Sequence, residues 1–447
     1  MAQQGLITRQ VREVDISTLT ITSNDKKNIK DIVDAVTDVY YYESILQQSL
    51  RASVLYVDAG KSIQTEKGAK TILEGLPIVG QENVSLIIKD ANDVKLNLKL
   101  YVNNTSPAKQ DTTKSLVGLD LVSKEHIFNE KIRLNSRFDG KISDHVKKIL
   151  TEFLGTEKKL DIEDTSNNYN FIGNNKKPFY TGLWLSKKSI PGSAGATGNT
   201  AGYFFYETSD GFKFKSIETL LSGKPVKSLI YNQTPDGAGK NVPAGYDKIL
   251  EHNVNDVSGN MQSKLEIGAY TTRTILFDPF NCYYEVVNTK AEDTEKNLQT
   301  AGKNLPKLNP EFNRVQAGKE FTRTQYMLVD RGVLPSGNTQ QQLDKSKTTN
   351  FDPRNIMNQA AMRYNQMFSS QVEITIVADF SLHAGDTVFI DAGVPGGELG
   401  DLHSGSYVIA DLCHYINKLR GGYTKLLLVR DSVGKKGSAT NTTNSYI

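Results

Sequence analysis

The sequence predicts a β-rich α+β fold in which antiparallel β domains surround a smaller α+β domain. Apolar residues occupy every second position from Val94 to Val102, which is the period of a strand with one buried face. Asp210-Gly211 lies between two aromatic runs, and Asp-Gly in this setting is a strong hairpin signal. Helical spacing is confined to a few segments, so we expect helices to be the minority element.

Composition limits the classes of function. The 447 residues allow roughly three domains. Lys and Arg number 53 and Asp and Glu number 50, and this near-neutral balance argues against a dedicated nucleic-acid binder. No apolar run approaches the ~18 residues of a bilayer span, and Met1–Gly5 does not begin a secretory signal. Two cysteines in such a chain are typical of a reducing cytoplasm. We therefore expect a soluble intracellular protein without a membrane anchor.

Residues 1–135 are predicted to form the first β domain, an antiparallel barrel or sandwich with one helical insertion. Alternation predicts strands over Asp15–Thr22 and Val84–Ile88. Leu50–Asp58 is rich in β-branched and aromatic residues, which predicts another strand. Asn28–Val39 fits a helical face at its start and a strand at its end, so both assignments stay open.

Residues 136–225 are predicted to form the small α+β domain. A helix with Ser143 as its cap ends at Gly155, which favours the left-handed backbone just beyond a helix. A second helix is predicted over Pro178–Ser189. Small residues from Gly192 to Gly202 favour a mobile loop, and the Asp-Gly hairpin follows it.

The second β domain is predicted in two pieces, residues 226–288 and 370–433. Residues 289–369 read as a polar excursion that ends in a helix with Asp352 as its cap. Residues 434–447 are predicted to be a flexible tail. The strands predicted in the two pieces are Thr271–Phe277, Val372–Ala378, Thr387–Ile390, Tyr407–Ala410 and Lys425–Arg430.

A Gly-Lys-Ser triplet in Asp58–Ser62 invites comparison with a phosphate-binding loop. That loop needs a glycine five residues before Gly60, and position 55 is leucine. The triplet also does not open a convincing helix. A turn after a strand is therefore the favoured interpretation.

The histidines and cysteines show no metal-binding spacing. Cys413 and His414 are adjacent, and neighbouring residues of a strand point to opposite faces, which poorly suits one metal ion or a nucleophile pair. Whether Cys282 and Cys413 ever pair stays open. The six histidines are His126, His145, His252, His383, His403 and His414.

Acidic and aromatic residues give no specific catalytic signal. Glu285, Asp278 and Asp386 are indistinguishable from surface acids, although paired carboxylates depend on distances that a sequence does not show. No Gly-x-Ser-x-Gly elbow occurs. The sequence therefore predicts no catalytic, cofactor-binding or metal-binding residue.

Three tyrosine-rich runs lie on predicted strands, where half of each run faces a core. A core position or a subunit interface is favoured over a sugar-binding platform. The runs are Tyr40–Tyr42, Tyr203–Tyr206 and Tyr283-Tyr284.

The order and spacing of several segments resemble the baseplate hub proteins of contractile-tailed bacteriophages, a family that also resembles the base of type VI secretion spikes. In the middle of the chain, a short helix precedes a Pro-Phe helix with a Trp-Leu pair, followed by an aromatic strand, a turn and an Ile-containing segment. Near the end, a Leu-x-x-Gly-Asp turn leads into a strand. The segments are Ile142–Leu150, Phe171–Phe179, Leu183–Ser189, Tyr203–Leu221, Phe380–Asp386, Val388–Ile390, Ser404–Ala410 and Tyr423–Val429.

The resemblance implies two tube-type antiparallel β-barrel domains in one chain, joined by smaller domains, with no catalytic role and no cofactor. Three copies would form a ring of six barrel units that adapts a sixfold tail tube to a threefold central spike and seeds tube assembly. The implied partners are further copies of the chain, the trimeric spike protein, tail tube or tube-initiator proteins, the tape-measure protein and baseplate wedge proteins. DNA would pass only as cargo. The implied location is the virion tail baseplate, after assembly in the host cytoplasm.

A second hypothesis is a tail-associated peptidoglycan hydrolase or glycan-binding protein. The tyrosine runs and the polar stretch of residues 289–350 motivate it. A lysozyme-like domain would show a dense helical stretch with a catalytic Glu, and the sequence does not show one. The role of residues 289–350 stays open.

Overall fold

The computed structural model describes most of the chain, and all structural statements below concern these residues. They are residues 12–60, 63–65, 68–110, 114–192, 201–231, 245–255, 261–279, 281–290, 298–305, 308–312, 321–332, 337–347, 350, 353–392 and 403–436. The loop predicted over 192–202, the tail and the cap residue Asp352 lie wholly or mostly outside them.

Strands dominate the described residues, which confirms the β-rich α+β fold class. The strands are β1 (Asp15–Thr22), β2 (Ile29–Asp31), β3 (Val36–Ser44), β4 (Arg51–Asp58), β5 (Ile63–Thr65), β6 (Gly68–Lys70), β7 (Asn83–Lys89), β8 (Lys95–Gln110), β9 (Ser115–Val122), β10 (Arg137–Phe138), β11 (Leu160–Ile162), β12 (Phe171–Ile172), β13 (Tyr203–Thr208), β14 (Gly211–Ser216), β15 (Lys227–Ile230), β16 (Glu251–Asn255), β17 (Thr271–Asp278), β18 (Tyr283–Lys290), β19 (Arg323–Leu328), β20 (Ser370–Val377), β21 (Thr387–Asp391), β22 (Gly405–Asn417) and β23 (Gly421–Arg430). The helices are α1 (Ile72–Gly75), α2 (Lys124–Lys131), α3 (Ile142–Lys148), α4 (Pro178–Ser186), α5 (Ile217–Leu221), α6 (Met261–Ile267), α7 (Thr339–Lys347) and α8 (Pro353–Met367), with a π-helical turn at Ile149–Phe153 and a 3-10 turn at Pro310–Phe312.

One 13-stranded sheet contains strands from both ends of the chain. Its path runs β16-β20-β23-β22-β3-β4-β9-β8-β7-β1-β2, and β21 pairs with both β22 and β15. Alternation explains the individual strands: Leu96, Leu98 and Leu100 of β8 are buried, as expected for a strand with one buried face. Each predicted strand is present, but Thr271–Phe277, predicted in the second β domain, lies outside this sheet and pairs with β18 and β19.

The long strand β22 joins the two groups of strands. Its first residues pair with β21, whereas Asp411–Asn417 pair with β3. A register shift between Ile409 and Asp411 marks the change, and such bulges bend a strand. β22 therefore connects the N-terminal strands to the C-terminal strands by backbone hydrogen bonds.

The predicted pair of closed barrels is not confirmed. Along its described residues, the large sheet runs open from β16 to β2. The physical reason lies at β3, which pairs with β22 of the C-terminal group instead of closing within its own group. One hydrophobic core also spans both groups, from Leu19 in β1 to Leu428 in β23.

The ambiguous segment Asn28–Val39 is not helical. It contains β2 and the start of β3. Helices of the N-terminal region lie elsewhere, at α1 and α2. Buried Ile32 and Val36 take the apolar positions that suggested a helical face, and spacing alone does not separate short strands from a helix.

The two helices and the hairpin predicted in the middle region are present as α3, α4 and β13–β14. The β13–β14 hairpin turns at Ser209 and Asp210, and Gly211 adopts φ +130°. A Cβ at Gly211 would lie 2.1 Å from the Lys159 carbonyl oxygen, so this turn needs glycine. The prediction of Ser143 as a helix cap is wrong. The cap is Lys141, and the Ser143 amide donates to the Thr165 hydroxyl.

The polar excursion contains secondary structure that was not predicted from the sequence. β19 pairs in parallel with β17, and β18 pairs with β17 on its other side. This three-stranded sheet packs on α8, the predicted helix that precedes the final strands. Nonlocal pairing explains the difference, because β17 and β19 are separated by a long polar segment.

Among the described residues, no helix is long and apolar enough to cross a membrane.

Candidate assembly interface

The described residues of the phosphate-loop candidate follow the end of a strand. β4 ends at Asp58, whose carboxylate accepts hydrogen bonds from the amides of Gly60 at 3.1 Å and Ile72 at 2.6 Å. Lys61 and Ser62 lie outside the described residues. A strand begins at Ile63, whereas a phosphate loop opens a helix.

The histidines and cysteines occupy separate environments. His414 is buried, donates to or accepts from the Thr424 hydroxyl at 2.8 Å, and has a pKa lowered by burial to about 4. Neighbouring Cys413 lies on the other face of β22, and burial raises the pKa of its thiol to about 11. Cys282 and Cys413 are both free. The described residues contain no cluster of metal-ligating side chains.

The three acids singled out in the sequence have structural partners. Asp278 is buried and forms an ion pair with Arg331. Asp386 accepts from the His383 amide at 2.9 Å within the Gly-Asp turn. Glu285 accepts from the Tyr283 hydroxyl at 2.8 Å. The structure therefore places these three acids in separate local contacts.

A cluster around Glu43 resembles a catalytic triad in residue types but not in geometry. His383 Nδ1 lies 3.3 Å from Ser209 Oγ and 3.4 Å from Glu43 Oε1. In a triad the serine and the acid bind different ring nitrogens, so that the ring can pass a proton between them. Here both contacts involve the same nitrogen. This geometry does not support a Ser-His-Glu nucleophile.

The Glu43 cluster instead joins three parts of the chain. The Glu43 carboxylate accepts from the Tyr41 hydroxyl at 2.6 Å, the Ser209 amide at 2.8 Å and the Ala384 amide at 2.9 Å. Burial opposes its charge, but His383 and the Tyr41 hydroxyl outweigh burial and lower the pKa of Glu43. β3, the β13–β14 turn and the turn before β21 are thus held at one buried carboxylate.

Replacing His383 should destabilise the fold more in acid than at alkaline pH. Burial alone would lower the pKa of His383, but Glu43 outweighs burial, helped by Asp210 and Asp386, so the pKa lies above 6.5. The charged ring stabilises the fold fully below the unfolded pKa, and this contribution is lost as pH rises through the folded pKa. We expect His383→Gln to lower the free energy of unfolding more at pH 6 than at pH 9, measured by urea denaturation.

His126→Gln is the matched control for this prediction. Burial lowers the pKa of His126, and its Nδ1 lies 3.1 Å from the Ser49 hydroxyl. A histidine with a lowered pKa costs stability as pH falls, so the pH trend of this variant should have the opposite sign. If His383→Gln lowers the free energy of unfolding equally at pH 6 and pH 9, the His383 ring is not charged in the folded protein at pH 6.

Two further clusters of buried charge hold the parts of the chain together. Lys158 forms ion pairs with Glu125 and Glu207, which connects α2 to the hairpin unit. Arg363 of α8 forms ion pairs with Asp431 at 3.0 Å and Glu218 at 3.1 Å. Breaking such buried pairs is costly because one charge stays buried without its partner. These buried ion pairs indicate that the connected parts of the chain are held in fixed positions relative to one another.

The three tyrosine runs differ in exposure. Tyr203–Tyr206 are all buried in the hairpin unit and its junction with the large sheet. Tyr40 stacks on Tyr415 at 4.8 Å between ring centroids, and Tyr41 points inward to Glu43. Stacked rings shield their faces from a sugar. Tyr283 and Tyr284 are both exposed on β18, so this run alone has two adjacent exposed tyrosines.

Tyr284 belongs to an apolar face on the outside of the β18-β17-β19 sheet. Directly paired residues of neighbouring strands point to the same side. The pairings Phe277–Tyr284 and Ile275–Val286 extend across β17 and β18, and Phe277–Leu328 and Ile275–Tyr326 extend across β17 and β19. We call the six residues the outer face: Ile275, Phe277, Tyr284, Val286, Tyr326 and Leu328.

The opposite face of the same sheet is covered. Thr272, Thr274 and Leu276 are buried on the side of α8. The Asn365 side chain of α8 donates to the Ile267 carbonyl at 2.6 Å, and the Gln366 side chain donates to the Ala269 carbonyl at 3.2 Å. The sheet is therefore anchored on one side and presents the outer face to solvent.

A groove of about 430 Å³ lies on the other side of β19. Arg323 and Gln325 line it, and these alternate along β19 with Tyr326 of the outer face. We call it the Leu46 groove, after the exposed leucine at its rim. Its apolar lining includes Ile45, Leu46, Leu183, Phe204, Ala361 and Tyr364.

Comparison with known structures identifies a fold shared with tail proteins. The tail protein from Neisseria meningitidis MC58 superimposes with a TM-score of 0.51 and 9% identity, over 94% of this chain and 97% of that chain. The 43 kDa tail protein of prophage MuSo2 from Shewanella oneidensis gives a TM-score of 0.51 and 8% identity, over 93% and 98%. The chain has a tail-protein fold.

The tail-protein fold extends over nearly the whole length of this chain and of both neighbours. No family model and no curated protein sequence matches the chain. Identities this low establish the architecture, and the architecture alone.

Proposed function

We propose that the chain is the structural baseplate hub of a contractile phage tail. Three copies form a ring that adapts the sixfold tail tube to the threefold central spike and seeds tube assembly. The observation that carries the proposal is the tail-protein fold, which spans at least 93% of the chain in each of two comparisons. A closed ring with two similar units per chain offers threefold and near-sixfold symmetry at once.

The strand order supports this arrangement. The large sheet contains an N-terminal group and a C-terminal group of strands, which are joined through the β3–β22 pairing. In the proposal each group acts as one tube-type unit, and three chains present six. The Glu43, Lys158 and Arg363 clusters hold the groups and the hairpin unit in fixed positions, as a symmetry adaptor requires.

The proposed partners are further copies of the chain, the trimeric spike, tail tube or tube-initiator proteins, the tape-measure protein and wedge proteins, with DNA as passing cargo. The proposed place is the tail baseplate of the virion, after assembly in the host cytoplasm. In this role no residue performs chemistry, and no cofactor is used.

Native mass tests the proposal directly. Light scattering on the purified chain should give three times the chain mass, and addition of the spike protein should give a three-plus-three complex. A chain that stays monomeric with and without the spike contradicts the hub proposal.

Peptidoglycan hydrolysis or glycan binding is the second candidate function, and the exposed tyrosines Tyr284 and Tyr326 are the observation that favours it. Aromatic rings with exposed faces can stack on sugars. Clearing on a peptidoglycan zymogram, or retention on a peptidoglycan column that is lost in Tyr284→Ser, would favour this function. We expect neither result from a structural hub.

A further inference from the structure

We propose that the outer face binds a second copy of this chain, and that the Leu46 groove of the neighbouring copy receives it. This inference rests on the proposed homotrimer and names the surfaces through which the copies meet. It assigns the edge strand β19 to the subunit contact.

The size of the outer face favours a protein partner. Tyr326, Tyr284 and Leu328 are 79%, 69% and 68% exposed, and Phe277 and Val286 are 43% and 37% exposed. At about 200 Å² for a whole aromatic side chain, the face exposes on the order of 500 Å². A standard interface buries about 800 Å² per partner. The outer face and its rim therefore approach the area of one side of a stable interface.

The chemistry of the outer face favours burial against another apolar surface. Its six residues carry no charge, and its only polar atoms are two tyrosine hydroxyls, which can sit at the rim of an interface. The next row of the sheet contains Arg273, whose guanidinium lies 4.5 Å from the centre of the Phe321 ring. The Arg273 charge already contacts an aromatic ring of its own chain. It therefore keeps that partner when a second copy covers the outer face.

A matching surface exists on the same chain. The Leu46 groove has a volume of about 430 Å³, large enough for several side chains, and its lining combines apolar residues with the charged residues Lys187 and Arg323. The apolar part of the groove and the outer face are complementary in polarity. Both are present in every copy, so a second copy supplies the required partner.

The placement of the two surfaces fits a ring better than a twofold dimer. A closed ring needs two different surfaces on each copy, and each surface meets the other kind on the next copy. The outer face and the Leu46 groove lie on opposite sides of β19. A copy with complementary surfaces on both sides of one edge strand can contact two neighbours at once.

The test uses two variants of the full chain, each of which removes one surface. Tyr326→Ser with Leu328→Ser removes the outer face and leaves the groove. Leu46→Asp charges the groove and leaves the face. Leu419→Ser is the control, because Leu419 is 96% exposed in the turn between β22 and β23. Circular dichroism and the fluorescence of Trp184, the single tryptophan, verify that each variant is folded.

Light scattering should show a trimer for the wild type and for the control, and a threefold lower mass for each surface variant. An equimolar mixture of the two surface variants should give a species of two chains, since the intact face of one fits the intact groove of the other. A mixture that stays monomeric, or a Leu46→Asp variant that keeps the wild-type mass, overturns the face-to-groove contact.

Failure of this inference can be distinguished from failure of the hub proposal. A trimeric wild type with trimeric surface variants overturns the inference and leaves the hub intact. If those trimeric variants lose binding to the spike protein, the outer face belongs to the spike contact and not to a second copy. A monomeric wild type overturns both the inference and the homotrimer.

Discussion

Arg363→Met is expected to lower the free energy of unfolding by about 3–5 kcal/mol, the cost of breaking a buried ion pair from one side. The guanidinium is 2% exposed and donates to Asp431 at 3.0 Å, Glu218 at 3.1 Å and the Gln299 carbonyl at 2.8 Å. Methionine fills similar space but leaves Asp431 buried without this charge partner. Burial raises the pKa of Glu218, and Arg363 partly opposes this effect. Removal of the arginine should therefore raise the pKa of Glu218 further.

Urea denaturation followed by Trp184 fluorescence and circular dichroism measures this effect. Lys347→Met is the matched control because Lys347 pairs with Asp344 at 3.8 Å on the surface of α7, where such pairs contribute about 0–1 kcal/mol. Arg363→Met with Asp431→Asn should recover part of the loss, since the buried charge is removed. A loss below about 1 kcal/mol for Arg363→Met would show that the cluster does not hold α8 to the large sheet.

Lys158→Met is expected to destabilise the chain by a similar amount, about 3–5 kcal/mol near pH 8, and by less as pH falls toward 4.5. Lys158 lies 2.7 Å from Glu125 and also pairs with Glu207. Burial raises the pKa of Glu207 and is only partly offset by Lys158. Burial opposes the charge of Glu125 as well, but Lys158 outweighs it and lowers that pKa. Without the lysine, two buried carboxylates face each other and one should take up a proton.

The pH trend separates this electrostatic loss from a loss of packing. In the variant, the pKa of Glu207 is higher in the folded state than in the unfolded state. The protonated Glu207 therefore stabilises the fold at low pH, and this stabilisation is lost as pH rises through the folded-state pKa of Glu207. The stabilising effect of the lowered Glu125 pKa in the wild type is present above the unfolded pKa and is lost in acid. Both effects make the difference in free energy of unfolding between the wild type and Lys158→Met larger at high pH. If this difference is the same at pH 4.5 and pH 8, the stabilisation by Lys158 is not electrostatic.

Lys177→Met provides the control for this experiment. Lys177 pairs with Glu130 at 2.5 Å, but the two side chains are 41% and 53% exposed. Solvent screens such a pair, so its removal should cost less than about 1 kcal/mol at either pH.

The outer face could not be predicted from the sequence, because the sequence does not show which side of a strand is covered by other elements. Tyr203–Tyr206 and Tyr283-Tyr284 are both aromatic runs on strands, yet the first is buried and the second exposed. The difference comes from what lies on each side: α4 and α8 pack on the hairpin, whereas α8 covers the β18-β17-β19 sheet on one face. Thr324, Tyr326 and Leu328 alternate along β19 with Arg323, Gln325 and Met327. This weak period of two was the one sequence signal for the strand.

The sequence alone was sufficient to predict the local elements, including the β13–β14 hairpin, the α4 and α8 helices and most strands of the large sheet. It could do so because alternation, helical spacing and the Asp210-Gly211 turn depend on residues a few positions apart. The three-dimensional structure was needed to show that β22 pairs with β3 instead of closing a separate barrel. It also brought together Arg363 and Asp431, and Glu43 and His383, which are distant in the chain. Nonlocal pairings depend on which surfaces are left to be covered after the local elements form, and no short window of sequence contains that information.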